Sequence, residues 1–415
     1  MAPFTLTAAL LTSALLTHLA AATTTSSHTH HDSWTGCLPG PFAHPSHRPC
    51  TSTSFLPWTR RPYCPSDTPF CVYTNSAIHR HGLSVVGIPA AVATTLNETT
   101  SLPHVEILFD SSSPAADAAH AALEPRDAPY ELRDLPGKGK GLVATRAIAR
   151  GAVLMVDWAA LLVDAEFPRR VRRDLGREML MEAIGGLERG GRELVLGLAR
   201  SSSDPTGVPA AEDVVKTNSF SVDLGGRSFM ALFPRISRLN HACKPSASTR
   251  FDMQTLSSTV TAFHDIKPGE EITISYADWG LTYPERQRVL KQKWGFDCTC
   301  SLCSSPAKDI AESDARREAI SRLGKEVLAQ VEEQNYKQAI KLNREMLVAL
   351  EDEALVPHMG DYYEVMARLY GALPDIDNAK KFAKLALEEF KAFGTGEKTD
   401  ELEAFVNGQP FFKQT

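Results

Sequence analysis

The chain has no excess of basic residues: 44 Lys and Arg stand against 50 Asp and Glu, for a net charge of −6. A duplex-DNA reader carries a basic face, so direct nucleic-acid binding is not expected. An apolar run long enough to cross a bilayer is also missing. The best stretch, Leu6 to Ala20, is short and interrupted by Thr, so no transmembrane span is expected in the mature chain. Cysteine is absent from 72–242 and again after Cys303, which leaves no room there for a cysteine-rich finger. What remains is an ordinary globular composition, 43% hydrophobic, enough to fill a core and more than one domain long.

The eight cysteines form two groups. Cys37, Cys50, Cys64 and Cys71 lie among Pro, Ser and His, without a Cys-x2-Cys pair. Residues 1–22 read as a secretory signal, with Ala20-Ala21-Ala22 as its small-residue end, although no Lys or Arg precedes the apolar run; the alternative is an ordinary N-terminal tail. In that context the first four cysteines are expected to form two disulfides, with zinc as the rival reading. The sequon Asn97-Glu98-Thr99 fits the same route. His28, His30 and His31 lie in a Thr/Ser-rich stretch read as solvated linker rather than a metal site.

Residues 23–127 are expected to be a cysteine-bearing region and linker, with short strands at Leu83–Gly87 and Val105–Phe109. From 128 to 305, glycine turns separate short β runs, interrupted by an inserted segment with helical spacing over Phe167–Arg200. Asp204 to Asp213 reads as loop, and the run Arg169, Arg170, Arg172 and Arg173 as a solvated helix face. Residues 306–415 are expected to hold helices over Glu312–Val331, Tyr336–Glu351, Gly360–Leu373 and Ile376–Phe393, a tetratricopeptide-like array or a plain helical bundle.

Three segments carry chemistry: Ser237-Arg-Leu-Asn240-His241-Ala-Cys243-Lys-Pro245, then Gly269-Glu-Glu-Ile-Thr-Ile-Ser-Tyr276, then Trp294-Gly-Phe296-Asp-Cys298-Thr-Cys300-Ser-Leu-Cys303. With the turn Gly137-Lys138-Gly139-Lys140-Gly141 and the segment Asn218-Ser-Phe220, their order and spacing resemble the SET-domain protein methyltransferases, in the branch related to the SET-and-MYND proteins. The MYND finger of that branch has no counterpart here, since the insertion carries no cysteine. The family's Asn after the proline is Ser246 in this chain, which keeps a hydrogen-bonding hydroxyl but loses the amide.

The resemblance implies an α+β fold: a β-rich SET core with a helical insertion, a post-SET zinc turn and a C-terminal helical array, preceded by a small disulfide-stapled region. It implies protein-lysine methylation from S-adenosylmethionine, on a protein or peptide substrate presenting lysine. Tyr276 is the expected catalytic tyrosine, orienting a neutral amine. Lys138, Gly139, Lys140, Gly141, Asn240, His241, Trp294 and Phe296 are expected to bind the cofactor. Either lysine could pair with its carboxylate, and Phe296 could cover its adenine. Cys298, Cys300 and Cys303, with Cys243 as the fourth ligand, are expected to hold structural zinc; the alternative is a reduced or disulfide-linked cluster. The rival function is a non-catalytic peptide-binding protein on a SET scaffold in the secretory pathway. The signal-like start points to the secretory route, while a cofactor that is chiefly cytosolic and nuclear points to the nucleus or cytoplasm.

Overall fold

A computed structural model describes residues 58–79, 81–90, 92, 127–201, 210–253, 255–355, 359–393 and 396–409. The expected leader, His28, His30, His31, Cys37, Cys50, Asn97, the strand expected over Val105–Phe109 and nearly all of the linker lie outside the described residues.

Twelve strands follow in chain order among the described residues: β1 (Cys71–Asn75), β2 (Leu83–Gly87), β3 (Tyr130–Leu135), β4 (Gly139–Ala144), β5 (Val153–Trp158), β6 (Leu161–Asp164), β7 (Phe220–Leu224), β8 (Arg227–Leu232), β9 (Asn240–His241), β10 (Ala247–Asp252), β11 (Ser257–Ala262) and β12 (Glu271–Ile274). They form three sheets, ordered β1-β2-β6-β8-β7, β10-β11-β5 and β3-β4-β12-β9. All pairs are antiparallel except β2 with β6 and β12 with β9.

The first sheet takes the core back across the expected start at 128. Every residue of β1 and β2 is buried, as befits strands covered on both faces. Ser84 Oγ donates to the Ala183 carbonyl at 2.7 Å, tying β2 to the insertion. Of the two disulfides expected near the N-terminus, one lies among the described residues, between Cys64 and Cys71 at the start of β1.

The insertion holds α1 (Phe167–Arg170), α2 (Arg173–Gly186), α3 (Arg189–Leu196) and α4 (Ala210–Asn218). The end of the segment read as loop is therefore helical. Asp213, in the first turn of α4, is buried and accepts from Ser201 Oγ at 2.7 Å, so its carboxylate is committed locally rather than to a turn. The basic run is a helix surface whose charges are met nearby: Arg169 by Glu166, Arg172 by Asp174 and Arg173 by Glu212, with Arg170 over the Phe70 ring.

After β12 come α5 (Tyr283–Trp294), α6 (Ala307–Glu332), α7 (Tyr336–Asp352), α8 (Met359–Gly371), α9 (Ile376–Phe393) and α10 (Gly396–Val406). The tightest packing is within the pairs α6–α7 and α8–α9. Their shared core includes Leu323, Val327, Met346, Leu350, Met366 and Leu369. The array docks on the β core where Arg150 Nη2 meets Glu389 at 2.7 Å and Phe263 meets Phe393 edge-on. No helix among the described residues is long and apolar enough to cross a membrane.

Candidate active site

The centre of the site is the two-residue strand β9. A short 3-10 turn at Ile236–Arg238 delivers the chain into it, and β12 pairs alongside in parallel, Thr273 opposite Asn240 and Ile274 opposite His241. This register brings the second motif beside the first. The Tyr276 N–H donates to His241 Nδ1 at 3.0 Å, and the Tyr276 hydroxyl donates to the Leu239 carbonyl at 2.6 Å. With Nδ1 accepting, the His241 proton belongs on Nε2, which faces Cys243 Sγ at 3.3 Å. One buried imidazole thus joins the tyrosine to the cysteine cluster. Burial, and then the charge of Glu271, push the Tyr276 phenol well above its ordinary pKa, so it stays neutral and acts as a hydrogen-bonding group rather than a base.

Glu271 organises the other side. It accepts from Asn240 Nδ2 at 2.9 Å and pairs with Lys138 Nζ at 2.5 Å. Lys140 pairs with Asp134 at 3.0 Å. Both lysines named as partners for a ligand carboxylate therefore already have a protein carboxylate. The β3–β4 turn has Gly137 and Gly139 at positive φ, +74° and +71°, with open space where a Cβ would stand. Gly141 is required for a different reason. A Cβ there would lie 2.6 Å from Asn240 Nδ2 and 2.5 Å from Leu135 Cδ1, so only glycine lets the Asn240–Glu271 pair close over β4.

Ser246 does not line the cleft. It is buried, and its hydroxyl accepts from the Thr273 N–H at 2.9 Å, holding β12 to the start of β10. The departure from the family's asparagine thus falls on a strand-to-strand tie.

Helix α5 brings in the third segment. Thr282 and Glu285 make a capping box, Pro284 sits in the first turn, and Gly295 ends the helix with left-handed φ of 80°. The reversal at Gly295 turns Phe296 back toward Tyr276, with ring centroids 6.4 Å apart. Trp294 stands 5.2 Å from the same ring and donates through Nε1 to the Thr217 carbonyl at 3.0 Å. Gln287 fixes the next residues by two reciprocal 2.8 Å bonds to the backbone of Cys298.

Cys243, Cys298, Cys300 and Cys303 are all buried, and their sulfurs lie within 4.8 Å of one another. Cys243 Sγ is 3.9 Å from Cys298 Sγ and 3.5 Å from Cys303 Sγ. Tetrahedral zinc with bonds of about 2.3 Å sets its sulfurs about 3.8 Å apart, so the cluster is compatible with a zinc ion. The fully buried Arg286 lies close by. Burial alone would lower its pKa, but the sulfur of Cys243 and the carboxylate of Asp314, 3.0 Å away, raise it.

These segments enclose a cleft of about 410 Å³. Lys138, Gly139, Lys140, Asn240, His241, Tyr276, Trp294 and Phe296 line it, as do Cys298 and Cys300. Gly141 lies behind the lining. The insertion adds Gly197, Ala199, Arg200, Thr217 and Asn218, and the 3-10 turn adds Ser237 and Arg238. None of these was among the expected site residues, although Ser237 and Arg238 open the Asn-His segment and Asn218 opens the Asn218-Ser-Phe220 segment. Asn218 Nδ2 binds the carbonyls of Ala199 and Val214, both at 2.8 Å, so it pins the insertion to the cleft wall.

Residues 139–277 match the family model described as the SET domain. The chain is 28% identical over 195 residues to histone-lysine N-methyltransferase set5 of Schizosaccharomyces pombe, covering 46% of this chain and 56% of that protein. It is 40% identical over 80 residues to human histone-lysine N-methyltransferase SMYD3, covering 19% and 18% of the two chains. It is 41% identical over 81 residues to mouse protein-lysine N-trimethyltransferase SMYD5, covering 19% and 20%. The chain thus spans little more than half of the first of these relatives and about a fifth of the other two. The matched segment contains β9, β12 and Tyr276, so the centre of the cleft lies inside it, and the chain carries a SET domain similar to those of the SET5 and SMYD methyltransferases.

Proposed function

We propose that the chain is an S-adenosylmethionine-dependent protein-lysine N-methyltransferase. The observation that carries this reading is Tyr276, whose neutral hydroxyl is fixed on the Leu239 carbonyl beside a cleft walled by glycines, an Asn-His strand and two aromatic rings. The cofactor, when bound, supplies an electrophilic methyl group. The Gly137–Gly139 turn gives main chain room to approach it, Asn240 offers a polar edge, and Phe296 and Trp294 offer flat apolar walls. Because the Tyr276 hydroxyl proton is committed to Leu239, its oxygen is left to accept from the amine of an incoming lysine and aim the nitrogen lone pair. The lysine ammonium loses its proton to solvent beforehand, since the raised pKa of Tyr276 makes its phenolate unavailable as a base. Cys243, Cys298, Cys300 and Cys303 would hold zinc as a closed four-thiolate site that supplies structure and leaves no open position for water.

Tyr276→Phe is expected to leave S-adenosylhomocysteine affinity within about twofold and to slow methyl transfer at least about tenfold, about 1.4 kcal/mol of barrier. Transfer of labelled methyl groups to lysine-bearing protein substrates measures this. Equal rates in variant and parent would remove Tyr276 from its role. A parent that binds cofactor and peptide but transfers nothing would favour the non-catalytic peptide-binding alternative.

We also place the chain in the secretory pathway, with nucleus or cytoplasm as the alternative. The Cys64–Cys71 disulfide supports an oxidising route. Alkylation of protein taken from its native location should leave both thiols unlabelled until reduction, and free thiols there would overturn the placement.

A further inference from the structure

The cleft holds one cation with no counter-charge among the described residues. Arg238 lines the wall at the end of the 3-10 turn, half-withdrawn from water. Its backbone is fixed on both sides: its own N–H donates to the Arg235 carbonyl, and the next carbonyl, that of Leu239, accepts from Tyr276. Its guanidinium reaches across to the insertion, where Nη2 lies 3.4 Å from the position a Cβ on Gly197 would occupy. Among the described residues, that guanidinium has no hydrogen bond or ion pair. Burial lowers its pKa, and among the described residues no carboxylate offsets this.

The other charged groups of the wall are accounted for. Lys138 is held by Glu271, Lys140 by Asp134, and Asp297 by Lys291 at 2.7 Å. Arg200 is exposed, so water satisfies it. A guanidinium presents several donors in a planar fork that matches a carboxylate, and one half-withdrawn from water gains from an anionic partner. The methyl donor has a sulfonium, an ammonium and one carboxylate. Of its charged groups only the carboxylate attracts Arg238, and it is a stronger acceptor for a guanidinium than the neutral adenine and ribose.

We propose that Arg238 is the anion-binding residue of this cleft and takes the carboxylate of the methyl donor, in place of the two lysines of the glycine turn. The inference rests on the methyltransferase reading and deepens it. It makes Arg238 a binding residue, with no part in the transfer step itself. An acidic side chain of a peptide substrate is the competing occupant.

Two ligands separate the possibilities: S-adenosylhomocysteine, which has the carboxylate, and 5′-methylthioadenosine, which has the same nucleoside and thioether without the amino-acid tail. Calorimetry on the full chain should show that Arg238→Leu weakens S-adenosylhomocysteine at least about tenfold and leaves 5′-methylthioadenosine within about twofold. Arg238→Lys should fall between Leu and the parent for the first ligand only. Equal weakening of both ligands would make Arg238 a structural residue and overturn the proposal. Unchanged binding of both, with a raised KM for the peptide, would give the arginine to the substrate and overturn it as well. A parent that binds neither ligand would defeat the methyltransferase reading itself, and the proposal with it.

Discussion

Replacing Cys300 with Ser is expected to drop bound zinc from about one per chain to a small fraction and to weaken S-adenosylhomocysteine at least about tenfold. Three of the four sulfurs sit in six residues of post-SET chain with almost no regular structure of its own. The hold on that chain comes from Gln287 on the Cys298 backbone, from the Cys243 N–H on Cys300 Sγ at 3.4 Å, and from the proposed ion. Structural zinc in small sites supplies on the order of 10 kcal/mol of binding free energy that is also folding free energy. A four-thiolate zinc centre carries two net negative charges, and the buried guanidiniums of Arg286 and Arg317 lie where they offset them. Without the ion, the same four thiols crowd against one another and against two buried cations. Because Trp294 and Phe296 immediately precede the cluster and wall the cleft, release of 298–303 frees the aromatic wall. Elemental analysis and ligand calorimetry on parent and variant measure both effects. A folded, reduced parent with a zinc content near zero would refute the metal site, and a zinc-depleted variant with parental ligand affinity would refute the link between metal and cleft.

Motif spacing foretold the cleft because chemistry there is local in sequence: Asn240 with His241, Glu271 with Tyr276, and Cys298 through Cys303 each come from one short segment. What escaped is what tertiary packing decides. Arg238 sits inside the Asn-His segment, and nothing in one dimension says that its guanidinium finds no partner among the described residues while Lys138 and Lys140 find theirs. Thr217 and Asn218 reach the wall only because α4 packs back on the core. The β1–β2 hairpin begins at Cys71, whose disulfide partner Cys64 precedes it, so composition groups it with the N-terminal segment, yet its fully buried strands belong to the core sheet. Helix α5 lies outside the expected helices, although Thr282-Tyr-Pro-Glu285 and Gly295 are strong start and stop signals in the sequence. Helix α10 also lay beyond the four expected, whose spans otherwise fall within a few residues of the observed ones.

Glu353→Ala is expected to destabilise the chain by about 3–5 kcal/mol, the cost of leaving a buried ionic partner uncompensated. Glu353 follows α7 and is fully buried. It accepts from Ser313 Oγ at 2.7 Å, Arg316 Nε at 2.8 Å and Arg317 Nε at 3.0 Å, with Lys244 Nζ 3.6 Å away. Arg317, itself buried, spends its remaining donors on the core side, on the Trp279 carbonyl at 3.0 Å and the Cys243 carbonyl at 2.7 Å. The helical array is therefore joined to the backbone of a zinc-type cysteine through one carboxylate and one guanidinium. Burial alone would raise the Glu353 pKa, but the Ser313 and Arg316 hydrogen bonds and the charges of Arg317 and Lys244 outweigh it and lower the pKa. A depressed carboxylate stabilises fully above its unfolded pKa, about 4.3, and loses that contribution as pH falls through the lower folded value. The gap in unfolding free energy between the parent and Glu353→Gln should thus be constant near neutrality and shrink only below about pH 4. Arg316→Ala, at the more exposed edge of the cluster, should cost no more than about 1 kcal/mol. Urea unfolding of the three variants, with the rate of zinc release to a chelator followed in parallel, tests the arrangement. If Glu353→Ala unfolds like Arg316→Ala, the buried pair does not hold the array to the core. If it unfolds early but releases zinc at the parental rate from the folded state, the array is anchored there without bracing Cys243.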